Sequence, residues 1–317
     1  MLPIKAGIIP RLLHSNVFSH IIGDLLNEPV PVPPAVCSPR PSACPGLLRV
    51  VRALDGGLCR IKLAAGVLRA EQADAVAWAA QRYASGVIEA TNRANLQIRG
   101  IGDGAAELAE HLLDAGLGPR SAGADDVRNL MLSPTAGIDP AQTLDVGPLA
   151  AQILASLESR PQLHQLSAKF ALQLDGGEAL AMLEHHHDLW LSALTVEGKM
   201  FLALGLAGSP ADGSDVAVKL EDGHALVMAV LERFLQLATP GQSRMRELAV
   251  AGQGVRALLD GSGPPLHTVA FQRPVQAVQA LGIHHQRQAG LVRVGAAPPL
   301  GRLHPAMLQG LAEASPC

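Results

Sequence analysis

The chain has 317 residues, 48% hydrophobic and 17% charged, with a formal net charge of −3, which allows two or three domains with real cores and excludes disorder throughout. A slight excess of acid argues against a nucleic-acid surface, which needs clustered positive charge, and 3% aromatic content leaves little for base stacking. No window reaches the ~18 uncharged apolar residues of a membrane span, and Pro10, Arg11 and His14 interrupt the segment from Met1 to Leu26. The expected location is therefore cytoplasmic, with no membrane and no nucleic acid among the partners.

Closely spaced prolines from Pro29 to Pro45 remove backbone donors and fix φ, so residues 1–46 are expected to form a stiff or disordered arm. Leu47 to Leu54 and Gly57 to Leu63 then read as strands, and Arg69 to Tyr83 as a helix with Ala73, Val76, Ala77, Ala80 and Tyr83 on one face. Val87 to Ala90 and Asn95 to Ile101 pair around Thr91-Asn92-Arg93. A second amphipathic helix, Ala105 to Leu117, turns Leu108, Leu112 and Leu113 inward. The β-α-β-β-α order predicts a ferredoxin-like half-domain over residues 47–118.

Strand residues alternate faces, so Arg60 and Lys62 are expected on one side with Ile61 and Leu63 on the other, and Gln97 and Arg99 stand opposite Leu96 and Ile98. A half-buried cationic sheet face suits a polyanion, because guanidinium groups pair carboxylates bidentately and are otherwise desolvated without a partner. The plainer alternative is a solvated face.

Residues 119–262 are expected to form a second α/β unit. It starts with a strand from Val127 to Leu132, passes through the turn-rich Ser133 to Pro140, and enters a helix with Asp145 as N-cap and Pro148 in its first turn. Lys169 to Leu174 reads as a strand ended by Asp175-Gly-Gly177, and His187 to Leu194 with Met200 to Leu206 as a hairpin around Glu197-Gly198. Val227 to Leu237 and Met245 to Leu259 are helical by period, and Gly261 to Pro265 marks a boundary.

Residues 263–317 are expected to hold a linker and an incomplete repeat. Gly290-Leu-Val-Arg-Val294 repeats Gly57-Leu-Cys-Arg-Ile61, and a Leu- and Ala-rich helix, His304 to Ala314, follows as Ala70 to Ala84 follows the first. With no counterpart of the Thr91 to Ile101 hairpin, Leu291, Val294, Leu300, Leu303, Met307, Leu308 and Leu311 are expected to be poorly packed.

Cysteines at 37, 44, 59 and 317 have no compact ligand spacing and are expected to be reduced thiols, Cys59 pointing with the core-facing residues. Glu184-His185-His186-His187-Asp188 is the obvious candidate for mononuclear iron, but adjacent strand residues diverge, and His284-His285 is weaker still. No metal ligand is assigned. Nucleotide-binding glycine loops and serine elbows are also absent from the sequence.

Taken together, Leu58-Cys-Arg-Ile-Lys-Leu63, Thr91-Asn-Arg93 with Gln97, Val127-Arg-Asn-Leu130 leading into Ser133-Pro-Thr-Ala-Gly-Ile-Asp-Pro140, and Lys169-Phe170 resemble the nitrite and sulfite reductase family. The resemblance covers about residues 43–317. Ala43-Cys-Pro-Gly-Leu47, the Asp55 to Arg60 run and the Ser133 to Pro140 segment look most like its corrin branch, the oxygen-dependent enzymes of aerobic cobalamin biosynthesis. The implied fold is α/β (α+β), a ferredoxin-like half-domain followed by a reductase-type α/β domain and the start of a second ferredoxin-like half. The implied activity is an oxidoreductase, a monooxygenase that hydroxylates precorrin-3A with O2 and closes a lactone, fed by an electron donor.

Under that resemblance Arg60, Arg128 and Lys169 fall where the reductases place cations around the substrate anion, and Arg93 and Gln97 where they hold tetrapyrrole carboxylates. With Lys62, Thr91, Asn92 and Asn129 they make the candidate tetrapyrrole- or anion-binding set. No residue is assigned the redox step, which belongs to the metal centre. The resemblance also implies a 4Fe-4S cluster with iron or sirohaem, ligated by Cys-x5-Cys and Cys-x3-Cys pairs, and this sequence contains neither pair. The reductases usually carry a second lysine two residues after the first; Ala171 stands there, which favours the corrin branch, and the incomplete repeat from Gly290 with the missing cysteine pairs implies a form of it shortened near the start of its second half. The alternatives are a sirohaem-dependent sulfite or nitrite reductase relative and a non-catalytic tetrapyrrole-binding remnant.

Overall fold

The computed structural model describes residues 4–8, 44–275 and 278–314, so most of the proline-rich arm, with Cys37 and Cys317, lies outside the described residues. In chain order the elements are β1 (Ile4–Ile8), β2 (Val51–Ala53), β3 (Gly56–Ile61), α1 (Ala70–Tyr83), β4 (Val87–Ala90), β5 (Leu96–Ile101), α2 (Ala105–Asp114) and α3 (Ala122–Val127). There follow β6 (Leu130–Met131), α4 (Gly147–Ser159), β7 (Leu172–Asp175), β8 (His187–Val196), β9 (Lys199–Gly208), β10 (Ser214–Lys219), α5 (Gly223–Leu237) and α6 (Val255–Leu259). The last are β11 (His267–Phe271), β12 (Gly282–His285), β13 (Val292–Ala296), β14 (Arg302–Leu303) and α7 (Pro305–Glu313). The chain divides into two units, one of Met1–Asp126 with Ala280–His284 and Leu291–Cys317, the other of Val127–Gln279 with His285–Gly290.

The first unit is built on a five-stranded sheet in the order β14-β4-β5-β3-β2. β3 and β4 both pair antiparallel with β5, so Arg60 and Glu89 flank Gln97 in the ladder. Cys59, Ile61, Ile88 and Ile98 project from the sheet into a core closed by Val76, Ala77 and Ala80 of α1 and Leu108 and Leu112 of α2. The small alanine face of α1 lets both α2 and α7 pack against it. A further sheet, β1-β13-β12, has β1 parallel to β13.

The C-terminal segment does not match the expectation of poor packing. Leu303, Leu308 and Ala312 belong to the same core as α1 and α2, because β14 adds to the edge of β4 and α7 lies against α1. Only Leu300 and Met307 of the named apolar set stay largely exposed. The sequence repeat is also a backbone repeat. After β3, Ala65 adopts φ 54 and ψ 23 in the 3-10 turn Ala64–Gly66; after β13, Leu300 adopts φ 54 and ψ 22 in the turn Pro299–Gly301. Gly66 and Gly301 follow at φ 71 in both, and extended Arg69 and His304 then cap α1 and α7.

The second unit carries a six-stranded sheet, β11-β10-β9-β8-β7-β6, parallel from β6 to β8 and antiparallel from β8 to β11. Glu197 and Gly198 both have positive φ, 49° and 76°, as a two-residue hairpin turn requires. Gly205 lies opposite Trp190, where a Cβ would come within 2.5 Å of the indole. Helices α4 and α5 pack together, and the rings of Phe170 and Phe234 meet at a 55° tilt with centroids 4.7 Å apart.

Several expected elements differ. The strand expected from Val127 shrinks to Leu130–Met131 because α3 runs through Val127, its Asp125 accepting from Leu47 N at 2.9 Å. Met245 to Leu259 is not one helix but two 3-10 turns and the short α6, interrupted where Gly254 takes φ 93. Strands β10 and β11 form where the sequence pattern predicts no strand. Residues 263–279 stay with the second unit, past the boundary expected at Gly261 to Pro265.

Candidate functional site

On the first unit, the antiparallel ladder sets Arg60 beside Gln97. With the Gln97 amide oriented so that its oxygen faces the guanidinium, it accepts from Arg60 Nε at 3.1 Å and Nη2 at 2.7 Å. Burial pulls the Arg60 pKa below its ordinary value; nearby Cys44 opposes this and the positive charge of Arg93 adds to it. Arg93 is carried by a tight turn in which Thr91 Oγ1 accepts from Arg93 N at 3.3 Å and Asn95 N at 3.2 Å. Thr91 therefore builds the turn that presents Asn92 and Arg93, and Asn95 fixes it further by accepting from Leu63 N at 3.2 Å.

The other cations of these strands are committed inside the protein. Lys62 lies past the end of β3 and is 2% exposed, its Nζ donating to the carbonyls of Asp125 at 2.7 Å and Asp126 at 3.0 Å. Burial lowers its pKa while Asp125 and Asp126 oppose. The shared face expected for Arg60 and Lys62 is thus not formed, because the alternation stops with the strand. Arg99 forks onto Asp55 at 2.9 and 3.1 Å, and Arg49 pairs with Asp126. Among the described residues no carboxylate pairs with Arg60, and its half-buried guanidinium is met by a neutral amide alone.

On the second unit, Arg128 follows α3 at 7% exposure. Its Nε lies 2.7 Å from Glu158 Oε1, yet neither Nε nor Nη1 has an acceptor in hydrogen-bonding alignment, so the ion pair leaves N–H groups unused. Asn129 ties this loop to the next, Nδ2 donating to Ala168 O at 3.0 Å and its carbonyl accepting from Leu172 N at 2.8 Å. That stitch brings the backbone of Arg128 near the loop of Lys169, whose own side chain is exposed. Ala171 is 3% exposed, and its N–H donates to Asp188 Oδ2 at 2.8 Å. Asp188 also takes Arg244 Nε at 2.9 Å and Met245 N at 2.7 Å, so position 171 faces a carboxylate already satisfied.

A buried polar cluster surrounds Asp175-Gly-Gly177, which the sequence pattern marks only as a strand end. Asp175 Oδ2 accepts from Ser192 Oγ at 2.5 Å and Arg273 Nε at 3.0 Å, and Arg273 Nη2 reaches Glu178 O at 2.7 Å. Glu178 is fully buried; Gly176 N donates to its Oε2 at 2.8 Å, and its Oε1 has no partner. Burial raises its pKa to about 7, its own and Gly176 backbone N–H bonds opposing and the charges of Asp175 and Asp139 adding. The acidic residue just after Asp-Gly-Gly was the available signal.

The described cysteines do not fit an iron-sulfur cluster. Cys59 is completely buried with Sγ 3.8 Å from Leu47 O, and burial, with Asp125 adding and Arg60 opposing, pushes its thiol up, away from the thiolate that a cluster requires. Among the described residues no group of three or more His, Cys, Asp or Glu gathers around a common point. The rings of half-buried His185 and buried His187 stand 5.0 Å apart. Carboxylates are a different matter, since Arg60, Gln97 and Arg93 offer N–H groups of the kind such a group takes. No described helix is long and apolar enough to cross a membrane.

Comparison with known proteins agrees with this architecture. Residues 52–115 match the Nitrite/Sulfite reductase ferredoxin-like half domain, and residues 123–253 the Nitrite and sulphite reductase 4Fe-4S domain. A precorrin-3B synthase of Sinorhizobium sp is 30% identical over 224 residues, spanning 70% of this chain and 47% of that protein. A ferredoxin–nitrite reductase of Synechococcus elongatus is 28% identical over 269 residues (78% and 52%), and a chloroplastic one of Arabidopsis thaliana 30% over 274 (78% and 46%). The nitrite reductases thus match as well as the corrin enzyme. The structure of the Mycobacterium tuberculosis NirA protein superposes with a TM-score of 0.67 over 81% of this chain and 50% of that one, and at 20% identity this speaks to the fold alone. The chain spans about half the length of the curated relatives it matches. It carries, in order, a ferredoxin-like half-domain and a 4Fe-4S-type domain of the nitrite and sulfite reductase family.

Proposed function

We propose that this chain forms the tetrapyrrole-holding part of an oxidoreductase similar to precorrin-3B synthase, with precorrin-3A as substrate, O2 as co-substrate and a separate electron donor. The observation that carries the reading is Arg60, half-buried on a strand with a neutral amide beside it and no described carboxylate to pair with. A ligand carboxylate is the missing partner. Arg60 and Gln97 would orient that group, Arg93 would add charge from its turn, and Arg128, on the other unit, would use its spare N–H groups for an anion of its own. Asn129 positions the Arg128 loop, and exposed Lys169 is free to follow a ligand. The iron centre of a complete family member would supply the redox step, and none of these side chains does so.

Ala171 supports the corrin reading, because the second lysine of the reductases is replaced by a buried methyl whose neighbouring carboxylate is already filled. A second reading, a sulfite or nitrite reductase relative, is favoured by the nitrite reductases among the similar proteins and by the unused N–H groups of Arg128. Uroporphyrin III, a porphyrin octacarboxylate, and sulfite should be titrated in parallel. The corrin reading expects porphyrin binding that sulfite does not compete away; sulfite binding that is lost in Arg128→Met favours the reductase reading.

A further inference from the structure

Arg293 on β13 holds the place that Arg60 holds on β3. The equivalence rests on the repeated string, on the matched left-handed turn and glycine that follow each strand, and on the extended cap and helix that follow those. The two arginines differ in what meets them. Arg60 has Gln97 as its register partner, and the two side chains hydrogen-bond; Arg293 pairs in backbone register with Lys5 of β1. Arg293 is only 6% exposed, and among the described residues its Nε and Nη1 have no hydrogen-bond acceptor.

A guanidinium cannot shed its charge at any ordinary pH, so burying two of its N–H-bearing nitrogens without acceptors is costly, and an arriving anion relieves that cost. We propose that Arg293 is a second carboxylate-binding arginine, the repeat-related counterpart of Arg60, for a polycarboxylate tetrapyrrole. This rests on the tetrapyrrole reading above. A carboxylate satisfies the buried N–H groups by charge-assisted bonds, and a ligand with carboxylates around a macrocycle can meet more than one arginine at once. Arg293 binds and orients; no bond of the ligand is made or broken by it.

The test is uroporphyrin III titrated by fluorescence quenching into the full chain, with Arg293→Met, Arg293→Lys and Arg60→Ala measured beside wild type. Arg293→Met should weaken binding about tenfold or more, as expected for a lost charge-assisted bond. Because methionine removes an unpaired buried charge, its ligand-free thermal midpoint should rise, by roughly 2 °C or more. Should the methionine variant not fold, Arg293→Lys, which keeps the charge but loses the guanidinium fork, should still bind more weakly than wild type. Unchanged affinity in a folded Arg293 variant, or a lower ligand-free midpoint for Arg293→Met, overturns the proposal. If Arg60→Ala weakens binding and Arg293→Met does not, the tetrapyrrole reading stands without Arg293. If wild type fails to bind the porphyrin at all, both fall.

Discussion

Glu178 makes stability depend on pH in a way that one substitution should remove. Its carboxyl is fully buried, with one oxygen on Gly176 N and the other unpartnered. Its folded pKa of about 7 stands against an ordinary value of 4.5, a difference worth about 3 kcal/mol at 1.36 kcal/mol per pKa unit. A raised carboxyl pKa means that the folded state holds the proton more tightly than the unfolded chain does. The favourable contribution is complete below about pH 4.5 and is lost as pH rises through 7. Asp175 and Asp139 face the carboxyl with like charge, and Arg273, which reaches only its backbone carbonyl, does not cancel them. Glu178→Gln keeps an acceptor for Gly176 N and cannot ionise. Unfolding free energies from urea curves of both proteins at steps from pH 5 to 8 should show wild type losing on the order of 3 kcal/mol relative to the glutamine variant, other titrating groups cancelling in the difference. Parallel curves would refute the burial of a protonated acid at this position.

Lys62→Met should lower the unfolding free energy from urea denaturation by about 2–4 kcal/mol, since it strips the Asp125 and Asp126 carbonyls of a buried donor, while porphyrin affinity in the folded fraction stays near wild type. A selective loss of binding with unchanged stability would return Lys62 to the ligand face. Leu308 is 1% exposed within the main core, so Leu308→Ala should cost about 2–5 kcal/mol by chemical denaturation. Hydrogen exchange should likewise protect amides of α7 to the degree seen in α1, and fast exchange throughout Pro305–Glu313 would contradict the docking of that helix.

Periodicity made the element order of the first half-domain legible, although the strand expected over Leu47 to Leu54 is only Val51–Ala53 and the helix expected to reach Leu117 ends at Asp114. Val87–Ala90 was read with its observed ends, and Leu108 and Leu112 face the core as the 3.6-residue repeat requires. Alternation failed at Lys62 for a physical reason: the strand stops at Ile61, and the acceptors that hold the lysine are backbone carbonyls of α3, more than sixty residues ahead, which no local pattern connects to it. Periodicity also ran Met245 to Leu259 together, because it does not register a glycine at positive φ. The packing of the C-terminal segment depended on the free edge of β4 and the small face of α1, neither of which a one-dimensional pattern displays. Long-range polar contacts such as Asp175 with Arg273 were out of reach for the same reason.

The most direct measurement is the affinity of the chain for uroporphyrin III with and without Arg60, at low and moderate salt, with octaethylporphyrin as the carboxylate-free control. Arg60→Ala should weaken uroporphyrin binding by about 1.5–3 kcal/mol, ten- to a hundredfold, with the loss shrinking as salt screens the pair and no effect on the control. Equal affinities for wild type and Arg60→Ala, or equal binding of the two porphyrins, would contradict a carboxylate site on this strand.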